Sequence, residues 1–393
     1  MAGRTRVVVV RGHQATPWEL RSWELLPDRF DVRYLRTRSN AYELDSLALD
    51  AVPARTMRDF APRGRIGDLA AHVLGDRYRG FREHVREADI VHAEELSYWF
   101  AAEAARHKQA CGYKLALTVW ETLPLLEAFR NAGARRRRRL VLEHTDLYLP
   151  VTERARAALL LEGVPDERIV VSPPGLDVDR FRAARPEKPS REHVLLSVGR
   201  LVWEKGHQDL IRALASIRRG LVRSPATSPR VRIVGDGPER ARLEAYALEL
   251  GLGNSVEFLA ASYEEMPDIY AGASCLVLPS LPSAACSLGP FGVPRCFWEE
   301  QFGMVLAEAM AAGLPIVAST SGAIPEVTGG AGALGAPGDW LALARALSDN
   351  VLSRPPGSRV EYDQTLVERY SRAGAAERLA AAYDALMAGP PAS

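Results

Sequence analysis

A chain of 393 residues is too long for one ordinary hydrophobic core, so two domains are expected. Its 50 lysines and arginines nearly balance 49 aspartates and glutamates, and the net charge of +1 supplies no global field that would draw the chain to nucleic acid. Four scattered cysteines exclude a disulfide-stapled secreted scaffold, and no apolar run approaches the roughly 18 residues of a membrane-spanning helix.

In chain order, "RVVVV" (6–10) reads as a buried strand. Its four valines fall far short of the apolar region of a signal peptide, so the chain is expected in the cytoplasm. A helix-like stretch, "PWELRSWELL", follows. "ADIVHA" (88–93), "KLALTVW" (114–120) and "YLPVT" (148–152) read as further strands, the last leading into the helix "ERARAALLLEG" with its glycine stop. Near-continuous β-branched runs alternating with helices argue for a parallel sheet covered on both faces. Residues 1–180 are therefore expected to form one doubly wound α/β domain.

The Pro-Pro-Gly of "IVVSPPGLDVDRF" (169–181) suits a connection, and "RAARPEKPSRE" a polar linker. The rhythm then restarts: strand "HVLLSVGR", helix "HQDLIRALASIRR", strand "VRIVGDG", helix "PERARLEAYALELG", strands "VEFLA" and "CLVLPS", a helix from Gly303, strand "PIVAS" and the turn "SGAIPEV". Residues 181–371 are expected to form a second α/β domain, interrupted at 281–297 by a surface insertion rich in Pro, Gly and Cys. The final helix, about 372–390, could pack back on either domain. Ligands bind outside the carboxyl ends of strands in such sheets, so a cleft between the domains is the expected site.

Three stretches of the second half carry candidate chemistry. In "SVGRLVWEKGHQDL", Arg200 and Lys205 flank a strand-to-helix loop. A guanidinium and an ammonium five residues apart suit a diphosphate; two solvated loop cations are the alternative. "IVGDGPER" (233–240) reads as a tight strand-to-helix turn with Pro238 at the first helical position, and it lacks the third glycine of a dinucleotide fingerprint. In "EEQFGMVLAEAMAAGLPIVAS" (299–319), Gly303 lets backbone approach a ligand at a helix start. There the free amides of Met304 and Val305 and the helix dipole would form an anion site. Glu308, about one turn in, leans back toward that end. A carboxylate there repels phosphate but accepts from ribose hydroxyls, while Glu300, ahead of the helix, could accept from a sugar. The plainer alternative is an acid near a helix start beside an exposed glutamate.

Taken together, "PPGLDVDRF", "SVGRLVWEKG", "IVGDGPER", "VEFLAA", "CLVLPS", "EEQFGMVLAEAMAAGLPIVAS" and "SGAIPEV", in that order over about residues 169–340, resemble the retaining glycosyltransferases of family 4. That family has the GT-B architecture, two Rossmann-like domains facing a central cleft. The E-x7-E spacing from Glu300 to Glu308 is its signature. The resemblance implies a catalytic set of Arg200, Lys205 and Glu300, the cations gripping the diphosphate and Glu300 lying at the donor sugar. It implies Glu308 on the nucleotide ribose, the backbone amides of Phe302, Gly303, Met304 and Val305 at the donor phosphate and sugar, and the residues after "VEFLA" near the base. The implied reaction moves a sugar from a nucleoside diphosphate donor, a UDP-sugar first and GDP-mannose second, to a hydroxyl acceptor such as a lipid-linked or cell-surface glycan precursor. Anomeric configuration is retained by front-face attack, with the leaving phosphate as base. No Asp-x-Asp motif stands in a suitable loop, so neither metal nor cofactor is expected.

The N-terminal half resembles the family loosely. Gly12, in "VRGHQ", stands alone where the family often has two glycines, and is assigned to the donor side. Trp120 and Glu121 occupy the place of a frequent histidine-aspartate pair, and with His92 in "VHAEE" they are the candidates for the sugar or acceptor side. His144 reads as structural. The run Arg135–Arg139 reads as a solvated helix face, with peripheral docking on an anionic membrane leaflet as its alternative, at about 1 kcal/mol per charge near the surface. Cys286 and Cys296 are too few for a metal site and read as free thiols. Competing readings of the whole are a phosphorylase or sugar synthase on the same architecture, and a non-catalytic nucleotide-sugar sensor.

Overall fold

The computed structural model describes residues 3–60, 75–126, 132–184, 192–226, 228–282 and 298–389. Most of the expected insertion, with Cys286 and Cys296, lies outside the described residues. The chain divides into two compact units, Met1–Leu176 with Ser371–Ser393, and Asp177–Tyr370. The change of unit falls a few residues ahead of the 180/181 position read from sequence, and the C-terminal helix belongs to the first unit.

The first unit is built on six parallel strands: β1 (Thr5–Val9), β2 (Phe30–Thr37), β3 (Asp50–Ala54), β4 (Ile90–Glu94), β5 (Lys114–Val119) and β6 (Leu147–Pro150). Their order across the sheet is β3-β2-β1-β4-β5-β6, so the direction of winding reverses between β1 and β4. The valine run of β1 shows why both faces need covering. Successive side chains of a strand point to opposite faces. Val8 and Val10 enter one core with Val91, Leu115, Leu117 and Ala101. Val7 and Val9 enter the other with Ile90, Ala116, Leu149, Leu379 and Tyr383. Helices Trp99–Cys111 and Ala132–His144 pack together on the first of these faces. The second is closed by Leu20, Trp23 and the C-terminal helix Arg372–Ala388. That helix starts on Ser371, whose Oγ accepts the Gly374 amide at 3.0 Å.

Helix Ala132–His144 corrects the reading of Arg135–Arg139 as one solvated face. Consecutive residues step 100° around a helix, so five in a row sweep every side. Arg135, Arg136 and Arg139 are exposed, whereas Arg138 is buried and ion-paired with Glu162. Arg137 donates to the Ser97 carbonyl at 2.8 Å and lies 4.0 Å over the Trp99 ring. Among the described residues no helix is long and apolar enough to cross a membrane.

The second unit repeats the plan with β7 (Val194–Val198), β8 (Arg230–Val234), β9 (Val256–Leu259), β10 (Cys275–Leu278), β11 (Ile316–Ser319) and β12 (Ala333–Gly335). The sheet order is β12-β11-β10-β7-β8-β9, again parallel, with its reversal between β7 and β10. Leu195, Val231, Ile233, Cys275, Val277 and Val317 form the core on one face with helices His207–Arg218 and Trp340–Leu347. The loops that leave β7 and β10 at this reversal carry the candidate site.

Candidate functional site

Where winding reverses, the loops after two neighbouring strands diverge and leave a crevice at their carboxyl ends. In the second unit these loops are pinned together locally. Leu281 donates its amide to the Glu204 carbonyl at 2.7 Å. Gly206, at φ +72°, passes so close to Pro279 that a Cβ there would lie 1.9 Å from its carbonyl oxygen. Arg200 is held from behind. His207 is buried, which pushes its imidazole down to about 4 and keeps it neutral. Its Nε2 lies 3.1 Å from the Arg200 carbonyl and its Nδ1 3.1 Å from Ser197 Oγ. A proton on Nε2 lets the ring donate to that carbonyl and accept from the serine. The turn at Gly235–Gly237 supports the same loop, because the Leu201 amide donates to the Asp236 carbonyl at 2.9 Å. The Arg200 side chain itself is exposed and makes no ion pair with any described residue.

Lys205 is placed differently. Its ammonium donates to both oxygens of Glu300, at 3.0 and 2.8 Å, and lies 4.7 Å from the centre of the Trp298 ring. Glu300 is buried, and its Oε2 also accepts from Ser280 Oγ at 2.8 Å. Its backbone is locked too. The Glu300 carbonyl accepts the Ala323 amide at 2.8 Å, and Gly322 lies so near that a Cβ would sit 2.1 Å from that oxygen. A carboxylate has about four acceptor sites. Two donors from Lys205 and one from Ser280 leave room for one more hydroxyl.

Three residues on, Gly303 adopts φ +80° and starts helix Met304–Ala311. A Cβ at Gly303 would meet Leu306 at 3.0 Å and Glu300 Cγ at 3.4 Å, so the loop folds tightly onto the helix start. Leu306 donates back to the Gly303 carbonyl, while the half-buried Met304 and Val305 take no amide partner among the described residues. That arrangement suits an anion. The Phe302 side chain is core, edge-on to Tyr370 at 5.3 Å, so only its backbone is available at this surface. Glu308 is buried, and burial pushes its carboxyl up to about 7. Its Oε2 accepts from the Tyr270 hydroxyl at 2.7 Å.

Arg200 and Lys205 thus lie on the loop after β7, and Glu300, Phe302, Gly303, Met304, Val305 and Glu308 on the segment and helix that precede β11, the two joined by the Lys205–Glu300 pair. Sequence reading missed Ser280, Trp298, Tyr270 and His207, which hold them. None has a local pattern beyond its place at a strand end, in a loop or on a helix.

Gly12, His92, Trp120 and Glu121 lie in the first unit. Gly12 is buried, its amide donates to the Tyr78 hydroxyl at 3.0 Å, and its α-carbon faces the Phe100 ring. His92, expected on the sugar or acceptor side, has no exposed surface in this structure. Nδ1 lies 2.5 Å from the Tyr383 hydroxyl and Nε2 2.7 Å from Thr118 Oγ1, and burial holds the ring well below its usual value, so it stays neutral. The amides of Trp120 and Glu121 both donate to Glu95 Oε1, at 2.7 and 3.1 Å. Beside them Arg11 is buried against Glu19 at 2.8 Å and Glu94 at 3.8 Å. His144 Nδ1 lies 3.0 Å from the Leu140 carbonyl.

Two parallel sheets, each wound 3-2-1-4-5-6, define the class as a GT-B protein. The Anabaena protein HepE, solved in complex with UDP and glucose, superposes with a TM-score of 0.70 at 19% identity, covering 97% of this chain and 100% of that one. Sucrose-phosphate synthase from Thermosynechococcus elongatus gives 0.67 at 21% identity, covering 98% and 100%. Two family models divide the sequence: "Glycosyltransferase Family 4" matches residues 24–180, and "Glycosyl transferases group 1" matches residues 179–365. The chain belongs to the group 1 glycosyltransferases of the family 4 type. A D-inositol 3-phosphate glycosyltransferase of Corynebacterium jeikeium is 33% identical over 276 residues, 64% of this chain and 59% of that protein. A GDP-mannose-dependent alpha-(1-6)-phosphatidylinositol monomannoside mannosyltransferase of Mycobacterium tuberculosis is 31% identical over 216 residues, 53% of this chain and 50% of that protein. The chain thus spans about half to three-fifths of the length of these curated relatives.

Proposed function

We propose that this protein transfers a sugar from a nucleoside diphosphate donor to a hydroxyl acceptor, with retention at the anomeric carbon and without a metal. The observation that carries the reading is the β7/β10 crevice: an exposed Arg200, the Lys205–Glu300 pair, open amides at Met304 and Val305, and a Glu308 carboxyl one turn into the helix. Breaking the bond between anomeric carbon and phosphate oxygen leaves its electron pair on the diphosphate. Arg200, the remaining Lys205 donor and the helix start are fixed positive poles for that charge. Glu300, already neutralised by Lys205, can accept a donor-sugar hydroxyl without repelling the diphosphate. The acceptor hydroxyl forms the new bond on the face the diphosphate leaves and passes its proton to the departing phosphate oxygen.

A UDP-sugar is the first donor to test and GDP-mannose the second; UDP appears in the HepE structure, and GDP-mannose in the name of the mycobacterial relative. A lipid-linked or cell-surface glycan precursor is the proposed acceptor, in keeping with the phosphatidylinositol monomannoside that the same relative's name records. Peripheral contact with an anionic leaflet would rest on Arg135, Arg136 and Arg139, at about 1 kcal/mol per charge.

A thermal-shift screen with UDP- and GDP-sugars identifies the donor, because a bound ligand raises the melting temperature by mass action. With that donor, Glu308→Ala and Arg200→Ala are each expected to lower kcat/KM by about 100-fold or more. Unimpaired turnover in both variants would end this reading. Activity that a chelator abolishes and divalent metal restores would end its metal-free part.

A further inference from the structure

We infer that Tyr270 is the positioning residue for Glu308: its hydroxyl occupies one carboxylate oxygen and so directs the other at the donor's ribose. The inference rests on the donor-site reading above. Tyr270 belongs to helix Met266–Ala271 and has no exposed surface, so it acts only through a neighbour. Its hydroxyl lies 2.7 Å from Glu308 Oε2 and 3.4 Å from the Val305 carbonyl. A phenol has one proton to donate, and the nearer, charged oxygen takes it. Burial, and then the negative charge of Glu308, hold that phenol well above its usual value, so it remains a donor.

The ring is itself fixed. It stands edge-on to Phe181 at 5.2 Å, and Phe181 lies on helix Val178–Ala183, against which the Glu308 helix also packs. Glutamate has three rotatable bonds and loses their freedom when it must meet a ligand in one geometry. Tyr270 removes that freedom beforehand, a contribution to binding by preorganisation. With Oε2 occupied, Oε1 takes no hydrogen bond from any described residue. It is the oxygen left for a ribose hydroxyl.

The test is a binding cycle by titration calorimetry. The probes are UDP and GDP with their 2′-deoxy and 3′-deoxy counterparts, and the proteins are the wild type, Tyr270→Phe and Glu308→Ala. With the ribonucleotide the wild type prefers, Tyr270→Phe is expected to weaken binding about tenfold. Removing the ribose hydroxyl that Glu308 meets is expected to do the same to the wild type, and the two changes together to cost no more than either alone, as for two cuts in one interaction. In turnover the donor KM rises while kcat changes less. Tyr270→Phe keeps the ring and its packing. Full affinity in Tyr270→Phe beside weakened Glu308→Ala overturns the positioning role and leaves the donor site standing. Additive losses overturn it as well. Unchanged binding in Glu308→Ala, or no binding of either nucleotide by the wild type, removes the donor-site reading and this inference with it.

Discussion

Lys205 and Arg200 have the same charge and opposite standing in the fold. Lys205 is bound to both oxygens of a buried Glu300, whereas Arg200 projects its guanidinium from a braced loop without an ion pair among the described residues. Removing one partner of a buried pair strands the other. Lys205→Ala should therefore destabilise the protein by about 2–4 kcal/mol and lower its melting temperature by several degrees. Arg200→Ala should melt near the wild type, although both variants lose turnover; equal melting of the two would show that the Lys205–Glu300 pair contributes little. Glu95 offers a pH-dependent counterpart. Burial, and then the charge of Glu121, push its carboxyl up to about 7 from an ordinary 4.5. The native state then holds this proton more tightly than the unfolded chain, so the contribution is fully present below pH 4.5 and is lost as pH rises through 7. Glu95→Gln keeps an oxygen for the Trp120 and Glu121 amides and removes the charge. Its melting temperature should exceed that of the wild type at pH 8, with the gap closing toward pH 4.5; a constant gap would place the effect elsewhere.

At the scale of elements, the site depends on two loops touching through glycine. Gly206→Ala combines a left-handed φ of +72° with a clash at the Pro279 carbonyl, whereas Gly220→Ala has φ +70° and nothing within 4 Å. The second change isolates the backbone cost, about 1–2 kcal/mol. The first should exceed it in urea denaturation and also weaken donor binding, because the β7 and β10 loops must separate; equal losses would mean that the loops yield freely. How legible these elements were depended on burial. β1, β4, β5, β7 and β10 are covered on both faces and stand out as apolar runs. β2 was passed over because Asp31, Arg33 and Arg36 interrupt "FDVRYLRT", and β3 because an edge strand tolerates Pro53 in "DAVPA". The arginine run misled for the opposite reason: composition shows charge, while only packing shows that Arg138 turns inward to Glu162.

Across the whole molecule, the chain closes the first unit with its last helix. Leu379, Ala380, Ala382 and Tyr383 cover the face that contains Val7, Val9 and Ile90, and the Tyr383 hydroxyl meets both Trp23 Nε1 at 3.0 Å and His92. A chain ending at Tyr370 would expose that face. Loss of even one buried leucine costs about 2–5 kcal/mol, so loss of the helix should exhaust a typical domain stability of about 5–15 kcal/mol. Limited proteolysis of the truncated chain should digest the first unit and leave a protected fragment near 177–370; a resistant first unit would refute this. What could be read from the sequence alone was local: strand runs, glycine-bearing loops, and the Glu300-to-Glu308 spacing that carries the family resemblance. Periodicity and loop chemistry are written within a few turns of chain. The tertiary structure decided the partners: Tyr270 for Glu308 across 38 positions, Lys205 for Glu300 across 95, and Tyr383 for His92 across 291. Strand order and helix packing bring those residues together, and no local spacing records which distant side chain will fill a given hydrogen bond.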